Sequence, residues 1–97
     1  MIRHVVLFRW KPEATQEQKA RAASEVATLP SIVSSVREFA CGADIGVNDG
    51  NFDFSVAADF DDEAGYIAYR DDPAHRQISA NLIAPILAER AAIQFQY

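Results

Sequence analysis

Three features of this chain predict an α+β fold, with helices packed on a four-stranded antiparallel sheet. Runs of β-branched and aromatic residues open the chain, recur in its middle and close it. Stretches with helical spacing and helix-start chemistry lie between those runs. The 97 residues, 49% of them hydrophobic, suffice for one core and leave no room for a second, so residues 1–97 form a single domain.

Residues 2 to 10, Ile-Arg-His-Val-Val-Leu-Phe-Arg-Trp, read as the first strand, which Lys11-Pro12 ends. Thr15 and Gln18 have the spacing of a capping box. The helix they open runs to about Thr28 and is closed by Pro30. A second strand is expected from about Val33 to Ala43. Turn residues Gly46 to Asn51 separate it from a third strand over Phe52 to Phe60, where apolar and polar residues alternate. Asp61-Asp62-Glu63 puts negative charge at the start of a helix that ends near Tyr69. Pro73 opens another helix, expected to run to about Ala88 with a kink or an end at Pro85. Ala91 to Tyr97 is the last strand. The order β-α-β-β-α-β is the split βαβ pattern of ferredoxin-like folds.

Such a sheet carries its helices on one face. In the first strand His4, Val6, Phe8 and Trp10 share one side, and Val5, Leu7 and the flanking arginines share the other. Both sides are apolar, yet one helical layer covers only one of them. The uncovered side predicts an interface, and a two-fold homodimer is the simplest way to cover it.

Composition excludes several functions. The net charge of −5 speaks against general affinity for nucleic acid or anionic membranes. Cys41 is the only cysteine, so no intrachain disulfide can form, and its apolar surroundings predict a buried, inert thiol. Arg3, His4, Arg9 and Lys11 interrupt any signal-peptide core, and no stretch is long enough to span a bilayer. The expectation is a soluble, cytoplasmic protein. Asp59, Asp61, Asp62 and Glu63 read as a solvated helix start.

The segment Tyr69-Arg70-Asp71-Asp72-Pro73-Ala74-His75 carries the candidate chemistry. It reads as a helix end, a break and a new start, with Asp72 as the N-cap. His75 falls on the third helical residue, where the helix dipole disfavours a charged imidazole. A neutral imidazole is the state a general base needs. The acidic pair Asp71-Asp72 pulls the other way. A histidine in a first turn also serves as a cap or surface group, and Tyr69 as a core residue whose hydroxyl reaches the edge.

The opening strand with His4, the segment Cys41-Gly42-Ala43-Asp44 and the stretch ending Pro73-Ala74-His75 together resemble the stress-responsive A/B barrel, or Dabb, family. The resemblance implies a dimeric α+β barrel built from two ferredoxin-like sheets. Relatives include plant stress-stable proteins and the polyketide cyclase olivetolic acid cyclase. In cyclase-type members a tyrosine and the histidine of Pro-Ala-His act on a bound polyketide. These roles fall here on Tyr69 and His75 as catalytic residues, with His4 lining the pocket beside its face-mates Val6 and Phe8.

An aldol-type closure needs a base beside a carbonyl and a donor for the developing oxyanion. His75 and Tyr69 supply these roles with neither metal nor organic cofactor. The function expected from this is a cofactor-free lyase, cyclase or isomerase acting on a small apolar carbonyl compound. The alternative is a ligand-binding or stress-response dimer without turnover. A cavity reached by both Tyr69 and His75 favours catalysis or ligand binding, and a filled core favours the structural dimer.

Overall fold

The computed structural model describes residues 1–97. Strand β1 (Ile2–Trp10) is central, and the sheet order is β2-β3-β1-β4 with every pairing antiparallel. The remaining strands are β2 (Glu38–Ala43), β3 (Phe54–Phe60) and β4 (Leu87–Gln96). This is the ferredoxin-like α+β arrangement. Helices α1 (Gln16–Val26), α2 (Leu29–Ile32), α3 (Glu63–Asp71) and α4 (Pro73–Ile78) cover one face.

The strand pleat decides what is buried. His4, Val6, Phe8 and Trp10 of β1 and Phe54, Val56, Ala58 and Phe60 of β3 point under the helices. Ala22, Val26, Leu29, Tyr69, Ile83 and Ile86 close over them. Each large apolar side chain in that layer contributes roughly 1.5–3 kcal/mol through burial. On the opposite face no helix packs. Ile93 and Phe95 of β4 stay 59% and 42% exposed there, and Tyr97 beyond the strand 56%.

The α1 capping box forms as read: Gln18 N–H donates to Thr15 Oγ1, and Thr15 N–H to the Gln18 side chain. Other boundaries move. Pro30 does not close α1 but sits in the first turn of α2, where no N–H is needed. Val33 then bonds back to Leu29 and is buried without entering the sheet, so β2 starts at Glu38 rather than Val33. Strand β3 starts at Phe54, because Asp53 is held by Phe8 O and by Trp10 N–H while Phe52 lies under the Arg9 guanidinium. Gly46 and Gly50 in the intervening turn take φ of 78° and 82°, open to glycine at no steric cost.

The helix opened by Pro73 ends much earlier than Ala88. After Ile78 the chain widens into a π turn over Ser79–Ile83, then tightens to a 3₁₀ turn over Ala84–Ile86. Pro85 lacks the N–H that a continuing helix requires and its ring crowds the carbonyl four residues before it. Strand β4 therefore begins at Leu87, four residues ahead of Ala91, and pairs with β1 along its length. Cys41 is half-buried rather than buried, since β2 is an edge strand, and burial raises its thiol pKa.

Asp59 was expected in a solvated acidic cluster. Instead it is buried: Arg3 donates to its two oxygens at 2.7 and 2.9 Å, and the Tyr97 hydroxyl donates at 2.6 Å. Its neighbours remain at the surface, Asp61 paired with Arg37 and Asp62 capping α3 through Gly65 N–H. The end of the strand separates them: Asp59 lies within β3 directly opposite Arg3, whereas Asp61 and Asp62 follow its last residue, Phe60.

Candidate functional site

The break between α3 and α4 builds the site. Asp72 ends one helix and caps the next, its carboxylate accepting from Ala74 N–H at 2.8 Å. The last carbonyls of α3 have no helical partner of their own. His75 Nδ1 lies 3.1 Å from one of them, Arg70 O. A carbonyl only accepts, so Nδ1 carries the proton of the neutral ring and Nε2 keeps its lone pair. The break that puts His75 at the site therefore also fixes its tautomer.

The His75 ring sits 4.4 Å from that of Tyr69 between centroids. His4 enters from β1, with ring centroids 5.0 Å from Tyr66 and 6.1 Å from Tyr69. Gln94 Nε2–H of β4 donates to His4 Nδ1 at 2.8 Å, so the proton of neutral His4 is on Nε2. The two histidines thus present opposite tautomers, one an acceptor and the other a donor.

All three face a cavity of about 230 Å³ between the sheet and the helices, with Val6 and Phe8 in its floor. Val26, Leu29, Val56 and Ile83 make most of the wall apolar, and Ser79 and Ile83 bring the π turn to its edge. The Tyr69 hydroxyl has no hydrogen-bond partner within the chain, yet no buried polar side-chain atom is orphaned. The hydroxyl therefore opens onto the cavity, and the same reasoning applies to His4 Nε2.

Burial sets the protonation states. It lowers the His4 imidazole to about 4, helped by the charge of Arg90 and, when protonated, of His75. It also lowers His75, against the Arg70 carbonyl and Asp72, which raise it. Burial rather than the helix dipole is thus the main cause of the neutral His75. Asp71 is engaged elsewhere, with Arg70 at 2.9 Å and Arg76 at 3.3 Å. Burial raises the Tyr69 phenol well above its ordinary value, so it stays a donor.

Chemically the arrangement offers a neutral imidazole acceptor, a phenol donor and a second imidazole donor around an apolar space. No group of three or more His, Cys, Asp or Glu side chains converges as a metal site. Sequence reasoning missed Arg90 and the π turn. Reading the last strand back from Ala91 at period two would have put Arg90 on the His4 face.

This is a small ferredoxin-like domain whose covered sheet face holds a polar cluster in an apolar cavity. The profile of the stress-responsive A/B barrel domain, Dabb, matches residues 2–97, and the chain belongs to that family. None of the curated proteins matches it significantly. Among solved structures it resembles a dimeric ferredoxin-like protein of unknown function from Thermobifida fusca. The two share 44% identity over 99% of this chain and 90% of that one, with a TM-score of 0.91. A dimeric ferredoxin-like protein of unknown function from Bacteroides fragilis is 21% identical over 99% of this chain and 95% of that one, with a TM-score of 0.83. A hydroxynitrile lyase from Passiflora edulis is 18% identical over 97% of this chain and 90% of that one, with a TM-score of 0.84. The last two likenesses concern the fold alone.

Proposed function

We propose that this protein is a homodimer that binds a small apolar carbonyl compound and acts on it by proton transfer, as a cofactor-free lyase, cyclase or isomerase of the cytoplasm. The observation that carries the reading is the contact of the His75 and Tyr69 rings at the cavity. In the step we envisage, His75 Nε2 takes a proton from the carbon next to the carbonyl. The C–H electron pair becomes the enolate double bond, and the carbonyl oxygen takes the negative charge. Hydrogen bonds from the Tyr69 hydroxyl and His4 Nε2–H stabilise that oxygen. In isomerisation or exchange the carbonyl re-forms as the proton returns from His75 to carbon. In ring closure the enolate carbon bonds to a second carbonyl of the same molecule, whose C=O pair moves to its oxygen and takes the proton from His75. In a lyase step the carbonyl-side pair forms a C=C bond as a β C–O bond breaks, and the leaving oxygen takes the proton.

The dimer reading is supported by the uncovered sheet face. Val5, Leu7, Ala57, Ala91 and Ile93 form its apolar middle by strand parity, between the ion pairs Arg3–Asp59 and Arg9–Glu89. The Thermobifida relative is described as dimeric. An interface of this kind should bury more than roughly 1,200 Å² in total.

The test is deuterium exchange into 4-phenylbutan-2-one, followed by NMR in D₂O. The wild-type protein should accelerate exchange beside the carbonyl, and His75→Ala should abolish the acceleration. Saturable binding with no acceleration by the wild type would leave a ligand-binding dimer, the alternative reading.

A further inference from the structure

We propose that the cavity selects a carboxylate, a 2-oxo or 3-oxo acid with an apolar tail, and that Arg90 holds its carboxylate group. For the ketone part of the ligand this rests on the reading above; for the carboxylate it rests on charge and pairing.

The chain has 14 acidic residues against 9 lysines and arginines, yet no carboxylate lines the cavity. Its charged and titratable lining consists of Arg70, Arg90, His4, His75 and the two phenols of Tyr66 and Tyr69. A positive, partly desolvated enclosure in an acidic protein is a focused field for an anion.

Arg90 is also the one unpaired cation that lines the cavity. Arg3, Arg9, Arg37, Arg70 and Arg76 each pair with a carboxylate. Arg90 has no such partner, and Lys11, Lys19 and Arg21, which also lack one, lie outside the cavity. The register of β4 aims Arg90 at the site: it stands opposite Phe8, and Gln94, on the same face of β4, stands opposite His4. Its charge reaches both histidines, lowering His4 and His75 alike. A bound carboxylate would relieve that field and match the planar fork of the guanidinium.

The ligand then has a defined orientation. For a 2-oxo acid the carboxylate lies on Arg90, the adjacent carbonyl faces the Tyr69 and His4 donors, and the next carbon faces His75. For a 3-oxo acid the carbon facing His75 is the one between carboxylate and carbonyl. The tail runs toward Val26, Leu29, Val56 and Ile83.

Two probes test this by NMR titration: 4-phenyl-2-oxobutanoate, and 4-phenylbutan-2-one, in which a methyl group replaces the carboxylate. The wild type should bind the oxo acid about tenfold or more tightly than the ketone. Arg90→Gln should remove that preference without weakening the ketone, while Arg90→Lys keeps part of it. Arg21→Gln removes the same charge outside the cavity and should keep all of it. Arg90 is exposed and unpaired, so its replacement leaves the fold intact, which the amide spectrum checks. Equal binding of the two probes by the wild type, or a preference that survives in Arg90→Gln, overturns the carboxylate site and leaves the proton-transfer reading standing. Binding of neither probe overturns both.

Discussion

On the open face of the sheet, Asp59 accepts from Arg3 twice and from Tyr97 once. On the covered face, the Tyr69 hydroxyl and one nitrogen of His4 meet no partner in the chain. One strand serves both, for Arg3 and His4 are neighbours on β1. The difference follows from what each face must do. A charge out of water is tolerable only when its lone pairs are satisfied, so the open-face cluster is saturated. A binding cavity needs polar atoms that remain available, and it can hold them because they are neutral. Burial keeps both histidines deprotonated and the phenol protonated.

The sharpest test of this contrast swaps the readouts. His75→Ala should cut proton exchange by ~10²–10⁴-fold. Its denaturant midpoint should move little, since the side chain keeps only one hydrogen bond, to Arg70 O. Asp59→Ala should do the reverse, lowering the midpoint while leaving exchange per folded dimer unchanged. Exchange kinetics and urea unfolding of the two variants decide it. A His75 variant that unfolds readily yet exchanges normally would return that residue to a helix-capping role.

The two faces differed in how readable they were. Strand β1 runs from Ile2 to Trp10, as its alternation indicates, because a period of two is a local signal. The Thr15–Gln18 box and the Asp72–Pro73 break were legible for the same reason: caps are written within four residues. The pairing of Asp59 was not. Beside Asp61 and Asp62 it looks like surface, and only the register Arg3↔Asp59 shows otherwise. Residues 79–86 defeated periodicity too, since Leu82, Ile83 and Ile86 fit a continuing helix as well as a π turn. Arg90 was lost with them, because pairing to β1 rather than local propensity sets where β4 starts.

The proposed dimer uses the open face. Ile93→Asp places a charge in its apolar middle, where a second sheet would desolvate it. An uncompensated buried charge costs about 3–5 kcal/mol, so the dimer should weaken by at least about a hundredfold. Sedimentation across a concentration series measures this. The cavity lies on the other side of the sheet, so ligand titrations of the resulting monomer should still show binding. A wild type that sediments as a monomer at micromolar concentration would remove the dimer from the comparison.

Acid should separate the faces in turn. His4 titrates near 4 in the fold and near 6.5 when unfolded. Between those values the unfolded chain binds the proton that the fold refuses, so stability rises with pH across the window and is lost as pH falls through it. A shift of that size is worth up to about 3 kcal/mol. Asp59 is lowered from 3.8 to about 2, chiefly by its bonds from Arg3 and Tyr97. The stability it lends is complete above pH 4 and disappears toward pH 2. Urea midpoints between pH 2 and 7 should therefore show two limbs. His4→Gln should shrink the upper limb, leaving the part that the lowered His75 contributes, and Asp59→Asn should shrink the lower one, leaving the parts of Asp61 and Asp71.

The smallest expected effect lies at Asp72, where the covered face meets the helix break. Its carboxylate does two things at once: it caps α4 through Ala74 N–H, and its charge raises His75 against burial. Removing both functions with Asp72→Ala should cost about 0.5–2 kcal/mol, the usual value of an N-cap. Asp72→Asn separates them, since asparagine caps as well as aspartate but carries no charge. That variant should keep its midpoint while the acid limb of the exchange rate moves to lower pH, because His75 loses the one nearby carboxylate that favours its protonation. The sign is what matters here. A limb that moves upward would mean that the cap, not the charge, governs His75, through the position of the ring against Arg70 O.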